Sequence, residues 1–431
     1  MNFRTDEDFA RELDAADPLA GFRAHFHIPT NEAAEPLIYF CGHSLGLQPK
    51  AVRAAVDQEL NDWARMGVHG HFKDQSPWYS YHELLREPMA RLVGAQPHEV
   101  VVMNGLTVNL HLMMVSFYRP TADRFKILME DSAFPSDTYA VRTQIRHHGF
   151  DPDQALLIAR PRDGEHTLRT EDLEALIRQE GPRIALVLFG GVNYFTGQLF
   201  DMPRITAAAH AAGCTAGFDL AHAAGNVELR LHDWDVDFAV WCTYKYLNSG
   251  PGAVAGCFVH LRHAENTHIP RFGGWWGNDP KTRFRMHLNA EFDPVPSADG
   301  WQLCNPPILS LAAVKASLEI FDRAAISALR AKSELQSAYL LHLLDQHPAQ
   351  RTDRGHSTPV RYEVITPPSP SHRGCQVSIL AHDRPDRLFK SLHAAGVVGD
   401  FRPPNVIRVA PVPLYNTFHE IWRFAQILTA T

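Results

Sequence analysis

The sequence lacks the patterns that mark a membrane, secreted or metal-binding protein. No apolar run approaches the roughly 18 residues needed to cross a bilayer, and the start of the chain lacks the basic start, apolar core and cleavage pattern typical of export. Its 6 cysteines and 25 histidines contain no Cys-x-x-Cys or His-Glu-x-x-His spacing. We therefore predict a cytoplasmic protein with buried, reduced thiols, no membrane partner and no metal site.

The chain is also short of positive charge. Its formal net charge is −7, with 41 Lys and Arg against 48 Asp and Glu, which argues against a nucleic-acid or anionic-membrane partner. The rest of the composition is that of an ordinary globular protein. Of 431 residues, 45% are hydrophobic and 21% charged, so the chain can bury a large core.

The middle of the chain alternates apolar runs with stretches of helical periodicity. Predicted strands cover 125–129, 184–189, 214–219, 236–242 and 253–260, and predicted helices cover 106–117, 134–147 and 203–212. This alternation predicts an α/β fold with a mostly parallel sheet that is covered by helices on both faces.

The pattern changes after about residue 305. Helices are predicted at 308–322, 325–344, 388–394 and 417–428, with strands at 360–365, 376–380 and 407–409. This mixture predicts a smaller α+β unit. We therefore divide the chain into an irregular N-terminal segment (1–55) packed on the small domain, a large domain (56–305) and a small C-terminal domain (306–431).

Asp219 is the first chemically informative residue. It ends an apolar run, and ligands bind at the carboxyl ends of the strands in open α/β sheets. A carboxylate at that position can keep the nitrogen of a pyridoxal ring protonated, so that the ring accepts electrons. The alternative is that Asp219 caps the helix-compatible run that follows it.

Lys245 is the second informative residue. The chain has eight Lys against 33 Arg, and this lysine lies between Tyr244 and Tyr246, directly after a predicted buried strand. Burial would make the amine a better nucleophile, whereas a lysine whose amine reaches solvent is the alternative. The glycine turn at 248–252 allows close backbone approach to a ligand, or merely connects two strands. Together with Asp219, which lies 26 residues earlier, these features match the pattern of fold-type-I pyridoxal-phosphate enzymes.

Three further residues fit a site of this kind. Thr107 lies at the start of a predicted helix, where phosphate binds readily, although it could simply cap the helix. Phe134 could lie flat on a cofactor ring or belong to the core. Arg408, flanked by apolar residues, could pair with a substrate carboxylate or with an internal acid.

With these residues identified, long blocks of the chain are seen to resemble kynureninases. The resemblance runs from about residue 39 to 416, and its most specific blocks are GHSLGLQPK (42–50), LTVNLHLMM (106–114), AFPSD (133–137), the stretch 218–248, NPPIL (305–309) and IRVAPVPLYN (407–416). It implies a fold-type-I pyridoxal-phosphate enzyme with a mostly parallel, seven-stranded sheet and a smaller α+β domain.

The resemblance also implies a reaction and an assembly. The reaction is hydrolysis of the Cβ–Cγ bond of L-kynurenine or 3-hydroxy-L-kynurenine to alanine and anthranilate or 3-hydroxyanthranilate, a step of tryptophan catabolism toward NAD. The assembly is a homodimer whose active sites are shared between subunits. The cofactor is pyridoxal 5′-phosphate.

The resemblance assigns roles to individual residues. In the cofactor site these are Lys245 as the Schiff-base lysine, Asp219 at the ring nitrogen, Leu106, Thr107 and Tyr244 at the phosphate, and Phe134, Asp137 and His222 around the ring. Tyr244 is also a candidate proton relay. The partner subunit would supply Trp275 and Asn305, and Arg408 would bind the substrate carboxylate.

Two further expectations follow from the resemblance. Many family members have Ser or Thr where this chain has Gly190, so a hydroxyl contact to the cofactor is missing and a backbone amide, a water or Asn193 could replace it. Ser44, His71 and Asn305 match the animal-type members that prefer the 3-hydroxy substrate. We therefore predict that preference, because a site built to bond a hydroxyl discriminates against a substrate without one. The alternative is that Ser44 and His71 only shape the pocket wall.

Other functions are consistent with parts of the pattern. A cysteine desulfurase would need a reactive cysteine on a mobile loop, whereas Cys304 lies in a rigid-looking Asn-Pro-Pro context. An aminotransferase would carry amino groups between keto acids. A catalytically silent cofactor-binding dimer would not need Lys245, Asp219 and Arg408 together.

Overall fold

The computed structural model describes residues 2–346 and 362–430. The helices in this part of the chain are α1 (Glu7–Ala15), α2 (Ala51–Met66), α3 (Arg86–Val93), α4 (Leu106–Phe117), α5 (Pro135–His147), α6 (Pro152–Ala155), α7 (Thr170–Glu180), α8 (Met202–Ala211), α9 (Leu261–Ala264), α10 (Ile308–Ala324), α11 (Ile326–Asp345), α12 (Pro385–Ala394) and α13 (Phe418–Ala430). The strands are β1 (Ile38–Tyr39), β2 (Val100–Val102), β3 (Lys126–Glu130), β4 (Leu156–Ala159), β5 (Ile184–Gly190), β6 (Thr215–Asp219), β7 (Phe238–Trp241), β8 (Gly256–Val259), β9 (Tyr362–Val364), β10 (Val377–Ala381), β11 (Val397–Val398), β12 (Asp400–Arg402) and β13 (Val406–Val409).

A seven-stranded sheet in the order β2-β8-β7-β6-β5-β3-β4 forms the centre of the fold. Strands β4, β3, β5, β6 and β7 pair in parallel. Strand β8 is antiparallel to both β7 and β2, so β2 runs in the same direction as β7. The carboxyl ends of six strands therefore meet at one edge of the sheet, which is where ligands bind in such folds.

Helices cover both faces of this sheet because its central strands are apolar on both sides. Along β5, Leu186 and Leu188 pack in the same core cluster as α4 and α5, whereas Val187 and Phe189 pack with α7 and α8. Successive side chains of a strand point to opposite faces, so a continuous apolar run serves two cores. Each such side chain contributes about 1.5–3 kcal/mol when fully buried.

The sheet differs from the sequence prediction in two respects. The predicted strand at 253–260 exists as β8, but it runs against its neighbours instead of continuing the parallel series. Strands β2 and β4 were not predicted, because they contain only three and four residues and give no clear periodicity.

A second, antiparallel sheet lies in the C-terminal part of the chain, in the order β12-β13-β10-β9. Its strands pack in one apolar cluster with α11 and α13. Part of the predicted strand 360–365 lies outside the described residues, and β9 covers the remainder. The segment expected to be irregular contains α1, which packs against α13, and β1, which pairs in parallel with β11.

All six cysteines are free, and Cys214, Cys242, Cys257 and Cys375 are buried. Cys304 is exposed, so the expectation that every thiol is buried was wrong. This cysteine lies after a buried turn and directly before the Asn-Pro-Pro segment. Among the described helices, none combines the length and apolar character needed to cross a bilayer.

Candidate active site

A cleft lies at the carboxyl edge of the seven-stranded sheet. It brings together eight of the residues predicted from the sequence: Leu106, Thr107, Phe134, Asp137, Asp219, His222, Tyr244 and Lys245. The other lining residues are Glu130, Ser136, Gly190, Val192, Tyr194 and Ala221. These residues come from several strand ends and from the start of α4 and α5, because parallel strands deliver their carboxyl ends to one edge.

The amine of Lys245 is enclosed in this cleft. Only 9% of the residue is exposed, and Nζ lies 3.1 Å from Nε2 of His222 and 5.6 Å from the centre of the Phe134 ring. Burial, followed by the charge of Lys245, holds the pKa of His222 well below its usual value, so the neutral ring can accept a hydrogen bond from the amine. The alternative of a lysine reaching solvent was therefore wrong.

Close backbone packing fixes the segment around Lys245. The backbone N–H of Gly46 donates to the carbonyl oxygen of Tyr244 at 2.8 Å. A Cβ at Gly46 would collide with the carbonyl oxygen of Lys245, so this position needs glycine for steric reasons. The glycines of the turn at 248–252 do not line the cleft; Gly250 and Gly252 adopt positive φ in a strand connection.

Two predicted carboxyl groups face each other in the cleft. Asp219 Oδ1 accepts a hydrogen bond from the backbone of Ala221 at 2.7 Å, but residues 221–226 form turns, so Asp219 is not a helix cap. Burial, and then the negative charge of Asp219, raises the pKa of Asp137 well above its ordinary value. Oδ1 of Asp137 is buried and has no hydrogen-bond partner. A ligand that brings positive charge or donors to this pair would satisfy both groups.

The other end of the cleft is suited to an anion. Helix α4 begins after Gly105, whose N-cap position has no side-chain hydrogen bond to the first turn. Thr107 is therefore not the capping residue; its Oγ1 lies 3.2 Å from Oγ of Ser136. An uncapped helix N-terminus with two hydroxyl groups nearby can bind a phosphate.

Phe134 lies beside the cleft and outside the core. It is 39% exposed, and its ring contacts the ring of Tyr194 edge to face, with the centroids 5.2 Å apart. The alternative of a core phenylalanine was therefore wrong. A planar ligand placed in the cleft would meet this exposed ring.

Arg408 is buried near the cleft, and it is not among the residues that line it. Its Nη2 pairs with Asp400, and Nη1 donates to the carbonyl oxygen of Tyr194 at 2.6 Å. Burial lowers the pKa of Arg408 to about 10. The internal ion pair considered for this residue is present, so a substrate carboxylate would have to share or replace Asp400.

Four predicted substrate or partner residues are not among the residues that line the cleft. Ser44 and Asn305 are exposed, Trp275 is 36% exposed, and the Nδ1 of His71 lies 3.1 Å from the carbonyl oxygen of Val68.

Glu130 and Tyr194 line the cleft but were not predicted. Glu130 ends β3 as Asp219 ends β6, so the same strand-end argument could have identified it. Tyr194 lies in an irregular segment, where no periodicity could indicate its position. Asn193, considered as a substitute for a hydroxyl at position 190, uses its Oδ1 to accept from the backbone of Phe195 and Thr196, and it does not line the cleft.

One group of metal-ligand residue types lies outside the cleft and comprises Glu99, His232 and His260. Oε1 of Glu99 accepts from the backbone N–H of Leu261 at 2.8 Å and shares a hydrogen bond with Nδ1 of His232 at 2.9 Å. Its Oε2 accepts from the backbone of Gln96. These hydrogen bonds account for the cluster, so we assign it no ligand.

The residues in the cleft fit the pyridoxal phosphate expected from the sequence. They offer an enclosed amine, a strand-end carboxylate, an exposed aromatic face and an uncapped helix N-terminus. The buried Oδ1 of Asp137 and Nδ1 of His222 have no partners among the residues that the structure describes and could bind polar atoms of such a group.

Comparisons with known proteins agree with this assignment. Residues 38–367 match the family model described as aminotransferase class-V, and residues 329–428 match the kynureninase C-terminal domain. The chain is 55% identical over 428 residues to a kynureninase of Koribacter versatilis, covering 99% of this chain and 98% of that protein. It is 54% identical over 426 residues to a kynureninase of Myxococcus xanthus, covering 99% and 97%.

A solved structure supports the fold. A variant of the cystine lyase C-DES, with glycine covalently linked to its PLP cofactor, matches with a TM-score of 0.73 at 16% identity, covering 94% of this chain and 98% of that one. Together with the family models, this match confirms the predicted fold class.

Proposed function

The chain belongs to the kynureninase family, and from that premise we propose that it hydrolyses the Cβ–Cγ bond of 3-hydroxy-L-kynurenine in preference to that of L-kynurenine. It is a pyridoxal-phosphate-dependent enzyme, and relatives sharing half of its residues are kynureninases, which argues against the desulfurase, aminotransferase and silent-dimer alternatives. The products would be alanine and 3-hydroxyanthranilate, a step of tryptophan catabolism toward NAD. The observation that carries the proposed hydrolysis is the enclosed Lys245 amine in a cleft that also holds Asp219, whereas the substrate preference depends on other residues.

We propose a role in cofactor binding for several residues of the cleft. When bound, pyridoxal phosphate would supply an electron-accepting ring that stabilises negative charge at the substrate Cα. Lys245 would hold the cofactor covalently through Nζ, and Asp219 would keep the ring nitrogen protonated. Leu106, Thr107 and Tyr244 would bind the phosphate at the start of α4.

The same residues can hold and move protons during the reaction. The Nζ of Lys245 would take the proton from the substrate Cα. Neutral His222 can accept a hydrogen bond from this amine, which orients it. Burial raises the pKa of Tyr244, so its phenol stays protonated and can donate a hydrogen bond. Phe134 and Asp137 would flank the ring, and Phe134 would shield it from water.

Arg408 is proposed to bind the substrate α-carboxylate. Its guanidinium is buried and its Nε has no partner among the described residues, so N–H donors remain available beside the contacts to Asp400 and Tyr194. Arginine binds carboxylates through two parallel donors, which also fixes their orientation. The carbonyl contact to Tyr194 links this arginine to the wall of the cleft.

We also propose that the enzyme works as a homodimer. An exposed aromatic patch is formed by Phe72, Tyr79, Trp275 and Phe284, whose neighbouring ring centroids are 5.6–6.4 Å apart. Phe284 is 57% exposed, and exposed apolar patches of this kind mark interaction surfaces. Dimer formation through this patch would bring Trp275 and Asn305 toward the partner's cleft. Phe284→Glu should yield monomers with much lower activity, whereas a fully active monomer would contradict the proposal; sedimentation velocity measures the outcome.

The six unpaired cysteines support a reducing compartment, and we propose the cytoplasm. The proposed division into the segment 1–55, the domain 56–305 and the domain 306–431 follows the seven-stranded and four-stranded sheets, which lie in the second and third parts. The pairing of β1 with β11 joins the first part to the third.

The substrate preference is proposed from Ser44, His71 and Asn305, whose polar groups could bond the ring hydroxyl in the dimer. A direct test measures kcat/KM for both substrates by following the aryl product. We expect at least about a tenfold preference for the 3-hydroxy substrate. His71→Ala should reduce this ratio, whereas His69→Ala, which removes an exposed histidine two residues away, should leave it unchanged. Comparable kcat/KM values for the unmodified enzyme would contradict the proposed preference.

A further inference from the structure

Glu130 is a third carboxyl group in the cofactor cleft. It ends β3 at the carboxyl edge of the sheet and is buried, with only 4% of the residue exposed. Its Oε1 accepts a hydrogen bond from the backbone N–H of Gly190 at 3.0 Å. Its Oε2 is buried without a partner, although the residue lines the cleft. A buried polar atom of this kind requires a partner that the protein alone does not supply.

The surroundings of Glu130 favour its neutral form. Burial raises the pKa of this carboxyl to about 7, and the negative charge of Asp219 adds to the effect, against two backbone hydrogen bonds that lower it. The titratable groups that share the cleft with it are Asp137, Tyr194, Asp219, His222, Tyr244 and Lys245. A neutral carboxyl group carries a proton on one oxygen and can donate a hydrogen bond, which a carboxylate cannot do.

Gly190 makes room for this carboxyl group. A Cβ at position 190 would lie 2.9 Å from Oε1 of Glu130, so a side chain there would require the carboxyl group of Glu130 to shift from its present position. The backbone amide of Gly190 is already bound to Glu130, and Asn193 is engaged by its own turn. Next to position 190, Oε2 of Glu130 therefore remains a polar atom without a partner among the described residues.

We propose that Glu130 is a cofactor-binding residue, which donates a hydrogen bond from Oε2 to the bound pyridoxal phosphate where glycine at position 190 offers no side chain. This inference depends on the cofactor and is independent of the substrate preference. Binding of the cofactor can be measured without any substrate, so the two proposals can fail separately.

The test is the dissociation constant of pyridoxal phosphate from the full chain, measured by titration at pH 6 and pH 8.5. At pH 6, Glu130→Ala should weaken binding about tenfold, because it removes a buried donor. Glu130→Gln should stay within about threefold of the unmodified protein, since the amide can donate from the same place. Asp131→Asn is the matched control; Asp131 is the adjacent acid, pairs with Arg160 outside the cleft and should change nothing.

Two comparisons separate this role from a purely structural one. As the pH rises from 6 to 8.5, the carboxyl group of Glu130 should ionise. The unmodified protein should then lose affinity for pyridoxal phosphate relative to Glu130→Gln. The double variant Glu130→Ala with Gly190→Ser should recover most of the lost affinity, because the serine hydroxyl enters the vacated space. The proposal is overturned if Glu130→Ala binds the cofactor as tightly as Asp131→Asn, or if Glu130→Gln is as weak as Glu130→Ala. If Glu130→Ala does not fold, a constant affinity ratio between the unmodified protein and Glu130→Gln at both pH values overturns it.

Discussion

Replacing Glu130 with glutamine should change how the folding stability of the cofactor-free protein depends on pH. The pKa of this carboxyl is raised from 4.5 to about 7 by burial. Because the folded-state pKa is higher than the unfolded one, the group stabilises the fold at low pH, and that stabilisation is lost as the pH rises through about 7. Linkage gives a loss of about 2 kcal/mol between pH 5.5 and pH 8, and glutamine, which does not titrate, removes it.

Urea unfolding followed by tryptophan fluorescence at both pH values provides the assay. The free energy of unfolding of the unmodified protein, minus that of Glu130→Gln, should fall by about 2 kcal/mol from pH 5.5 to pH 8. Asp131→Asn serves again as control, since its partly exposed carboxyl pairs with the exposed Arg160. Parallel pH profiles for the unmodified protein and Glu130→Gln would show that Glu130 is ionised when buried and would refute the reasoning.

Two other substitutions test separate parts of the molecule. Arg408→Lys should raise KM about tenfold while the cofactor spectrum stays unchanged, because a point charge replaces a two-donor fork; an unchanged KM would remove Arg408 from the substrate site. Lys332→Met should lower the free energy of unfolding by about 3 kcal/mol, because it leaves the buried Asp17 without its partner at 2.7 Å. Chemical denaturation measures the second effect, and a loss below about 1 kcal/mol would contradict it.

The fold could be predicted from the sequence where apolar periodicity is long and uninterrupted. Helix α4 matches its predicted bounds, and β5 and β6 differ by one residue at an end. The reversed direction of β8 could not be predicted, because an apolar run has the same periodicity in either direction. Strands β2 and β4 are too short to give a pattern, and tertiary packing determines them.

The residues of the candidate site could be predicted where an ionisable side chain follows a predicted strand. Asp219 and Lys245 met that condition, and both line the cleft. Glu130 met it too and was overlooked, because a single charged residue after a strand also suits solvent. The sequence could not decide whether Arg408 pairs with an internal acid or with a substrate carboxylate. Asp400 and Arg408 come together only through the pairing of β12 with β13.

Residues that act across a subunit boundary could not be predicted from local sequence. Trp275 and Asn305 are exposed in the single chain, and nothing in local sequence distinguishes an interface aromatic from an ordinary surface residue. Their proposed roles rest on the family resemblance and on the aromatic patch that contains Trp275.

The most direct test of the proposed site is to locate the covalent attachment of the cofactor. Borohydride reduction of the holoenzyme, followed by proteolysis and mass spectrometry, should place the pyridoxyl group on the peptide containing Lys245. Lys332 is a good internal comparison, because it is also buried but is bound by Asp17 and by the carbonyl oxygen of Pro413. Modification of Lys332 or of a surface lysine, with Lys245 unmodified, would contradict the account.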